Sequence, residues 1–78
     1  MTRLTLQPMN AQVCGVHTDQ GAHVGNLKWI NAAWKFKAIG YDDAGDVIPG
    51  GGPLTGHHNT VFATLDEAEV NARLGSHP

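Results

Sequence analysis

Residues 25–40 constrain this chain more than any other stretch. They hold both tryptophans, one of the two phenylalanines and three of the five Lys/Arg residues. Aromatic rings are the largest apolar surfaces a side chain offers, so the core must form around them. Leu27 and Trp29 fall on one parity, and Trp34, Phe36 and Ala38 share another common face. Lys35 and Lys37 point the opposite way. That alternation has the period of a half-buried strand. Asn31 and its alanine neighbours separate the two runs and read as a hairpin turn, although no glycine marks it. Trp29 facing Trp34 or Phe36 across such a hairpin adds roughly 0.5–1 kcal/mol.

The rest of the chain suits the same plan. Residues 2–6 alternate, with Leu4 and Leu6 on one face, and predict a short strand. Pro8 and Asn10 punctuate it. Residues 11–16 predict a second strand, and the cluster at 18–21 predicts a turn. Asp42-Asp43-Ala44-Gly45 is a second hairpin signal, a type I turn followed by a left-handed glycine. A returning strand at 46–48 then ends at Pro49, which cannot donate to a ladder. Residues 49–59 lack hydrophobic periodicity and carry four glycines, which makes them costly to order. Residues 60–63 predict a brief strand. A helix follows, with Thr64 as N-cap, Glu67 completing a capping box, Arg73 in the last turn and Gly75 as C-cap. Leu65, Ala68 and Ala72 lie on one side, while Val70 and Leu74 lean to another. The expected fold is a small α+β domain: an antiparallel meander of four to five strands with one C-terminal helix on one face.

Length and composition bound the function. Seventy-eight residues make a single domain with a small core. Chains of this size often need a staple, and Cys14 as sole cysteine excludes an internal disulfide. A net charge of −2 argues against nonspecific nucleic-acid binding, which needs a cationic excess. Hydrophobic content of 41% argues against disorder. No apolar run approaches the roughly 18 residues that span a membrane, and no signal peptide is apparent. A cytoplasmic location is the expectation.

Each candidate site has a bland reading beside it. His57 and His58 adjoin Asn59 in the glycine loop, but adjacent residues point in different directions. A metal site there would need help from His17, His23, Cys14 or an Asp. Cys14-x-x-His17 with His23 has zinc-like local spacing, but a structural zinc site needs four ligands. The glycine loop lacks the Gly-Lys-Ser/Thr ending of a P-loop and the strand–glycine–helix setting of a dinucleotide site. Asp42, Asp43 and Asp46 do not match a calcium loop. Cys14 lacks an oxyanion site or an orienting carboxylate and reads as a small buried hydrophobe. Lysines interleaved with aromatics suit a stacking platform, but the alternation puts Lys35 and Lys37 opposite Trp34 and Phe36.

Two resemblances fall on the same stretch. Gly25-x-Leu27-Lys28-Trp29-x-Asn31 resembles the opening strand of cold-shock domains. The family's following Gly-Phe-Gly-Phe is replaced by Lys35-Phe36-Lys37-Ala38, and its second aromatic motif is absent, so that reading is set aside. Gly25-x-Leu27-x-x-x-Asn31-x-x-Trp34-Lys35-Phe36-Lys37-Ala38-Ile39-Gly40 resembles the near-C-terminal hairpin of the tellurium-resistance stress-protein family. The resemblance covers residues 25–40 only and carries over no site residue. It implies the aromatic hairpin and a bacterial stress or accessory role.

The sequence therefore points to a non-enzymatic binding or protein-interaction module without a cofactor. Its nominated surface is Pro53, Leu54, His57, His58 and Asn59. Its partner is another protein or a second copy joined through an edge strand, and neither nucleic acid nor membrane is expected. The alternative is a metal-binding protein using His57, His58, His17 and His23. A small enzyme or enzyme subunit comes third.

Overall fold

A computed structural model describes residues 3–75. Strands β1 (Leu4–Asn10), β2 (Val13–Thr18), β3 (His23–Ile30), β4 (Ala33–Tyr41) and β5 (Val47–Pro49) form an antiparallel meander in chain order. A two-residue strand β6 (Val61–Phe62) also pairs with β4, and helix α1 (Glu67–Leu74) follows it. The expected α+β meander is present, with β6 as an added strand.

The aromatic hairpin forms as its alternation requires. Leu27 pairs with Phe36, Trp29 with Trp34, and Gly25 with Ala38. The turn is Asn31-Ala32, both in the left-handed region at φ 52° and 63°. Two such residues twist a hairpin in the sense its strands need, so backbone twist fixes the turn where glycine did not. Cys14, Leu27 and Phe36 form one row across the sheet, all fully buried. Leu4, Val16, Val24, Ala38, Phe62, Val70 and Leu74 complete the core. Val24 joins it through a bulge, because Val16 pairs with Gly25 and His17 with His23.

Several local expectations are corrected. β1 runs through Pro8, which pairs with Cys14, and shifts register before Asn10. Proline is tolerated because β1 is an edge strand and its missing N–H faces outward. The first turn is Ala11-Gln12, so β2 starts later than the alternation suggested. Thr2, where the first strand was expected to begin, lies outside the described residues. The helix is capped by Asp66, not Thr64: its carboxylate accepts from the N–H groups of Ala68 (2.9 Å) and Glu69 (3.3 Å). Glu67 is therefore the first helical residue, and its side chain is free to reach the sheet. Gly75 closes the helix at φ −63°, not in the left-handed region. Glycine is needed there for space, since a Cβ would lie 2.3 Å from the Asn71 carbonyl oxygen. Val70 and Leu74 are the buried pair, leaving Leu65, Ala68 and Ala72 exposed.

The helix touches both edges of the sheet. Asn71 accepts the Leu4 N–H at Oδ1 (2.7 Å) and donates Nδ2 to the Leu4 carbonyl (2.9 Å), as a neighbouring strand would. Glu67 accepts the Leu6 N–H (3.1 Å). Two residues beyond Asn71, Arg73 donates to the Val61 carbonyl of β6 (2.9 Å) and stacks over the Phe62 ring. In a flat sheet β1 and β6 would stand four strand spacings, about 19 Å, apart. Two side chains so close on one helix cannot bridge that distance. The sheet must curl, with α1 filling the gap on its concave side and the core between them.

Candidate functional site

The glycine loop is built into the sheet. Gly50 N–H donates to the Ala38 carbonyl (2.7 Å), and Asn59 N–H donates to the Phe36 carbonyl (2.7 Å). Between them, Ala38 N–H donates to His58 Nδ1 (3.0 Å). An N–H can donate only to an unprotonated nitrogen, so this ring carries its proton on Nε2. His58 thus completes the ladder where β4 passes from β5 to β6. Gly52, at φ 83°, packs so tightly on β4 that a Cβ would meet the Ile39 carbonyl oxygen at 2.1 Å. Thr55 starts a 3-10 turn (Thr55–His57) and its hydroxyl donates to the Gly50 carbonyl (2.6 Å). Of the five nominated residues, Leu54 packs on the core, and His57 and His58 are half-buried. Pro53 and Asn59 are exposed, and Asn59 Oδ1 accepts from Lys37 Nζ (2.6 Å).

The four histidines weighed for metal do not converge. His17 and His23 stack face to face, with ring centroids 4.5 Å apart and planes at 11°. His23 donates Nε2 to Asn26 Oδ1 (2.8 Å), and the Tyr41 hydroxyl lies 3.4 Å from its Nδ1. His17 Nδ1 is buried without a hydrogen-bond partner. Burial, and then His23 beside it, pull the His17 pKa below its ordinary value. Cys14 points into the core while His17, three residues along the same strand, points to the opposite face. The thiol donates to the Gly15 carbonyl (3.7 Å), and burial pushes its pKa up. Among the described residues no three His, Cys, Asp or Glu side chains come together to hold a metal ion.

A different surface emerges from the register. The face of the sheet turned away from α1 carries Gln7, Gly15, Asn26 and Lys37 in one cross-strand row. Val13, Lys28, Lys35 and Val61 form the next row. His17, His23 and Tyr41 lie on the same face. None of the six strands contains an Asp or Glu: all seven acids lie in turns, in the helical cap or in α1. Arg3 is paired with Glu67 (3.2 Å) and Arg73 with Glu69 (3.7 Å), so two of the five cations are neutralised near the helix. The other three, Lys28, Lys35 and Lys37, share the outer face, and no carboxylate among the described residues pairs with them. Lys28 stands directly opposite Lys35. Like charges facing each other across strands destabilise a sheet. Sequence reasoning placed Lys35 and Lys37 opposite the aromatics correctly. It missed that Lys28 joins them, because only the register aligns β3 with β4.

The sheet's edges are partly covered. The outward N–H groups of Leu4 and Leu6 are held by α1, and Pro8 has none. On β5 the outward residues are Val47 and Pro49, and Pro49 again lacks an N–H. On β6 the outward carbonyl of Val61 is taken by Arg73. Strand addition, the route expected for a homodimer, needs a row of free donors and acceptors, and α1, Arg73 and the two prolines interrupt that row on these edges. No helix among the described residues is long and apolar enough to cross a membrane.

Compared with known protein families, with curated proteins and with solved structures, the chain matches none.

Proposed function

We propose that this protein is a non-enzymatic interaction module that docks another protein on the outer face of its sheet, with Asn59 of the glycine loop at the rim. The observation that carries this reading is the cross-strand pair Lys28–Lys35 with Lys37 beside it and no carboxylate among the strands. Such a face costs stability in the free protein. A partner that covers it offsets that cost. The glycine loop serves mainly as scaffold, since His58 and Leu54 are spent on β4 and the core. A stress-related or accessory role, implied by the resemblance over residues 25–40, is compatible with a module of this kind.

The test is site-specific photo-crosslinking in living cells. A photoreactive side chain is placed at Gln7 or Lys28 on the outer face, at Pro53 on the loop, or at Ala68 or Ala72 on the exposed side of α1. A discrete protein adduct from Gln7 and Lys28, absent from Ala68 and Ala72, is expected. Adducts confined to Pro53 or to the helix positions would overturn the reading, as would no adduct from the outer face.

A further inference from the structure

Resting on that reading, we infer that the partner presents an acidic segment, a run of Asp or Glu side chains, to Lys28, Lys35 and Lys37. The charge distribution selects this chemistry. Among the described residues the outer face holds three lysines against no carboxylate, whereas the acids Asp42, Asp43 and Asp46 sit on the β4–β5 turn beyond Tyr41. Between the lysine pair and the His17–His23 stack runs the row Gln7, Gly15, Asn26 and Lys37. Its amides donate hydrogen bonds to carboxylates, and Gly15 leaves the row flat at its centre. Three cations suit a short acidic stretch.

A nucleic acid fits this face less well. Single strands are held by successive bases stacked on aromatic rings along a cationic groove. Here both tryptophans belong to the helix side of the sheet. The imidazoles of His17 and His23 stack on each other, and among the described strand residues Tyr41 is the one other aromatic ring on the face. The acidic turn next to Tyr41 repels a phosphate chain.

The experiment measures binding of a fluorescent octaglutamate peptide to the full chain by anisotropy, with octaglutamine and an eight-residue thymidine oligonucleotide as comparators. Octaglutamate is expected to bind and octaglutamine not to bind. Binding should weaken as ionic strength rises from about 0.01 to about 0.15 M, which shortens the screening length from about 30 to about 8 Å. The double variant Lys28→Gln/Lys35→Gln should bind the peptide about tenfold more weakly, the equivalent of two exposed charge contacts. Lys35→Glu supplies a readout independent of folding damage. It converts the facing lysines into an opposite-charge pair, so its urea midpoint should rise while peptide binding is lost.

Octaglutamate binding that is absent, or unchanged in the lysine variants, overturns the acidic partner. Tighter binding of the thymidine strand overturns it in favour of nucleic acid. If the acidic peptide fails while crosslinks from Gln7 and Lys28 persist, the outer face stands and only the partner's chemistry falls. If those crosslinks are absent, the docking face falls with it.

Discussion

Replacing Asn71 by alanine tests how the sheet's first edge is closed. Its amide makes two bonds to the Leu4 backbone and a third to the Glu67 carbonyl one turn back. Each bond to Leu4 contributes about 1 kcal/mol net. Leu4 is 2% exposed, so truncation strands an N–H and a carbonyl where water reaches them poorly, which adds to the loss. Alanine's better helix propensity returns about 0.6 kcal/mol. The balance is a destabilisation of about 2–3 kcal/mol. That is a large share of the roughly 5 kcal/mol at the low end for small domains. Ala72→Asn is the control: it puts the same amide on the exposed side of α1 and should cost only about 0.6 kcal/mol of propensity. Urea unfolding followed by tryptophan fluorescence gives both values. Amide exchange at Leu4 and Leu6 reports whether the edge has opened, and sedimentation reports whether the freed edge pairs with a second chain. A cost below about 0.5 kcal/mol with Leu4 exchange unchanged would refute the argument that α1 stands in for a missing strand.

Three further outcomes are expected. Ala32→Gly should stabilise the protein by about 1 kcal/mol, because Ala32 sits at φ 63°, where an L-side chain is strained and glycine is not; a thermal melt reads it, and no gain would show the turn to be unstrained. Cys14 is fully buried with a raised pKa, so a thiol reagent should label it only as fast as the protein unfolds, and rapid labelling of the native protein would contradict its place in the core. Because the folded-state pKa of His17 lies below its ordinary value, the unfolded chain binds the extra proton. Stability is therefore whole above about pH 6.5 and is lost as pH falls from there through the folded pKa. Urea midpoints between pH 7.5 and 5 should fall in the native protein and fall less in His17→Gln, and equal slopes would remove His17 as the cause.

Much of the fold is legible in the sequence because it rests on alternation. Trp34, Phe36 and Ala38 share a face in the structure as their spacing requires, and the Asp42–Gly45 turn closes with Asp42 accepting the Ala44 and Asp46 N–H groups (both 2.9 Å). The misplaced features depend on contacts far away in sequence. Pro8 looks like a strand end until β1 proves to be an edge. Thr64 reads as the helix cap, because Glu67 three residues on completes a capping box with it. Asp66 prevails, and this leaves Glu67 at the first helical position, where it reaches Leu6 and Arg3. Local pattern contains no term for that. The glycine loop reads as a free connection because its bonds to Phe36 and Ala38 join residues 12 to 23 positions apart.

The outer face shows where sequence reasoning stops short of a site. Lysine positions and the absence of acids from the strands are both readable from residue order. What cannot be read is which lysines become neighbours. Shifting β3 against β4 by one residue would send Lys28 to the side of the tryptophans and turn Leu27 out of the core. The observed register is enforced by the opposite face, where Leu27 meets Phe36 and both are fully buried. Core packing thus sets Lys28 against Lys35, and stability of the free chain gives no reason to keep lysine at both positions. Substituting either by threonine would keep the strand and relieve the repulsion. If the threonine variants are more stable and still recover the crosslinked partner undiminished, the lysines have no role in docking. If stability rises as the adduct disappears, the face is held against its own interest by what binds it.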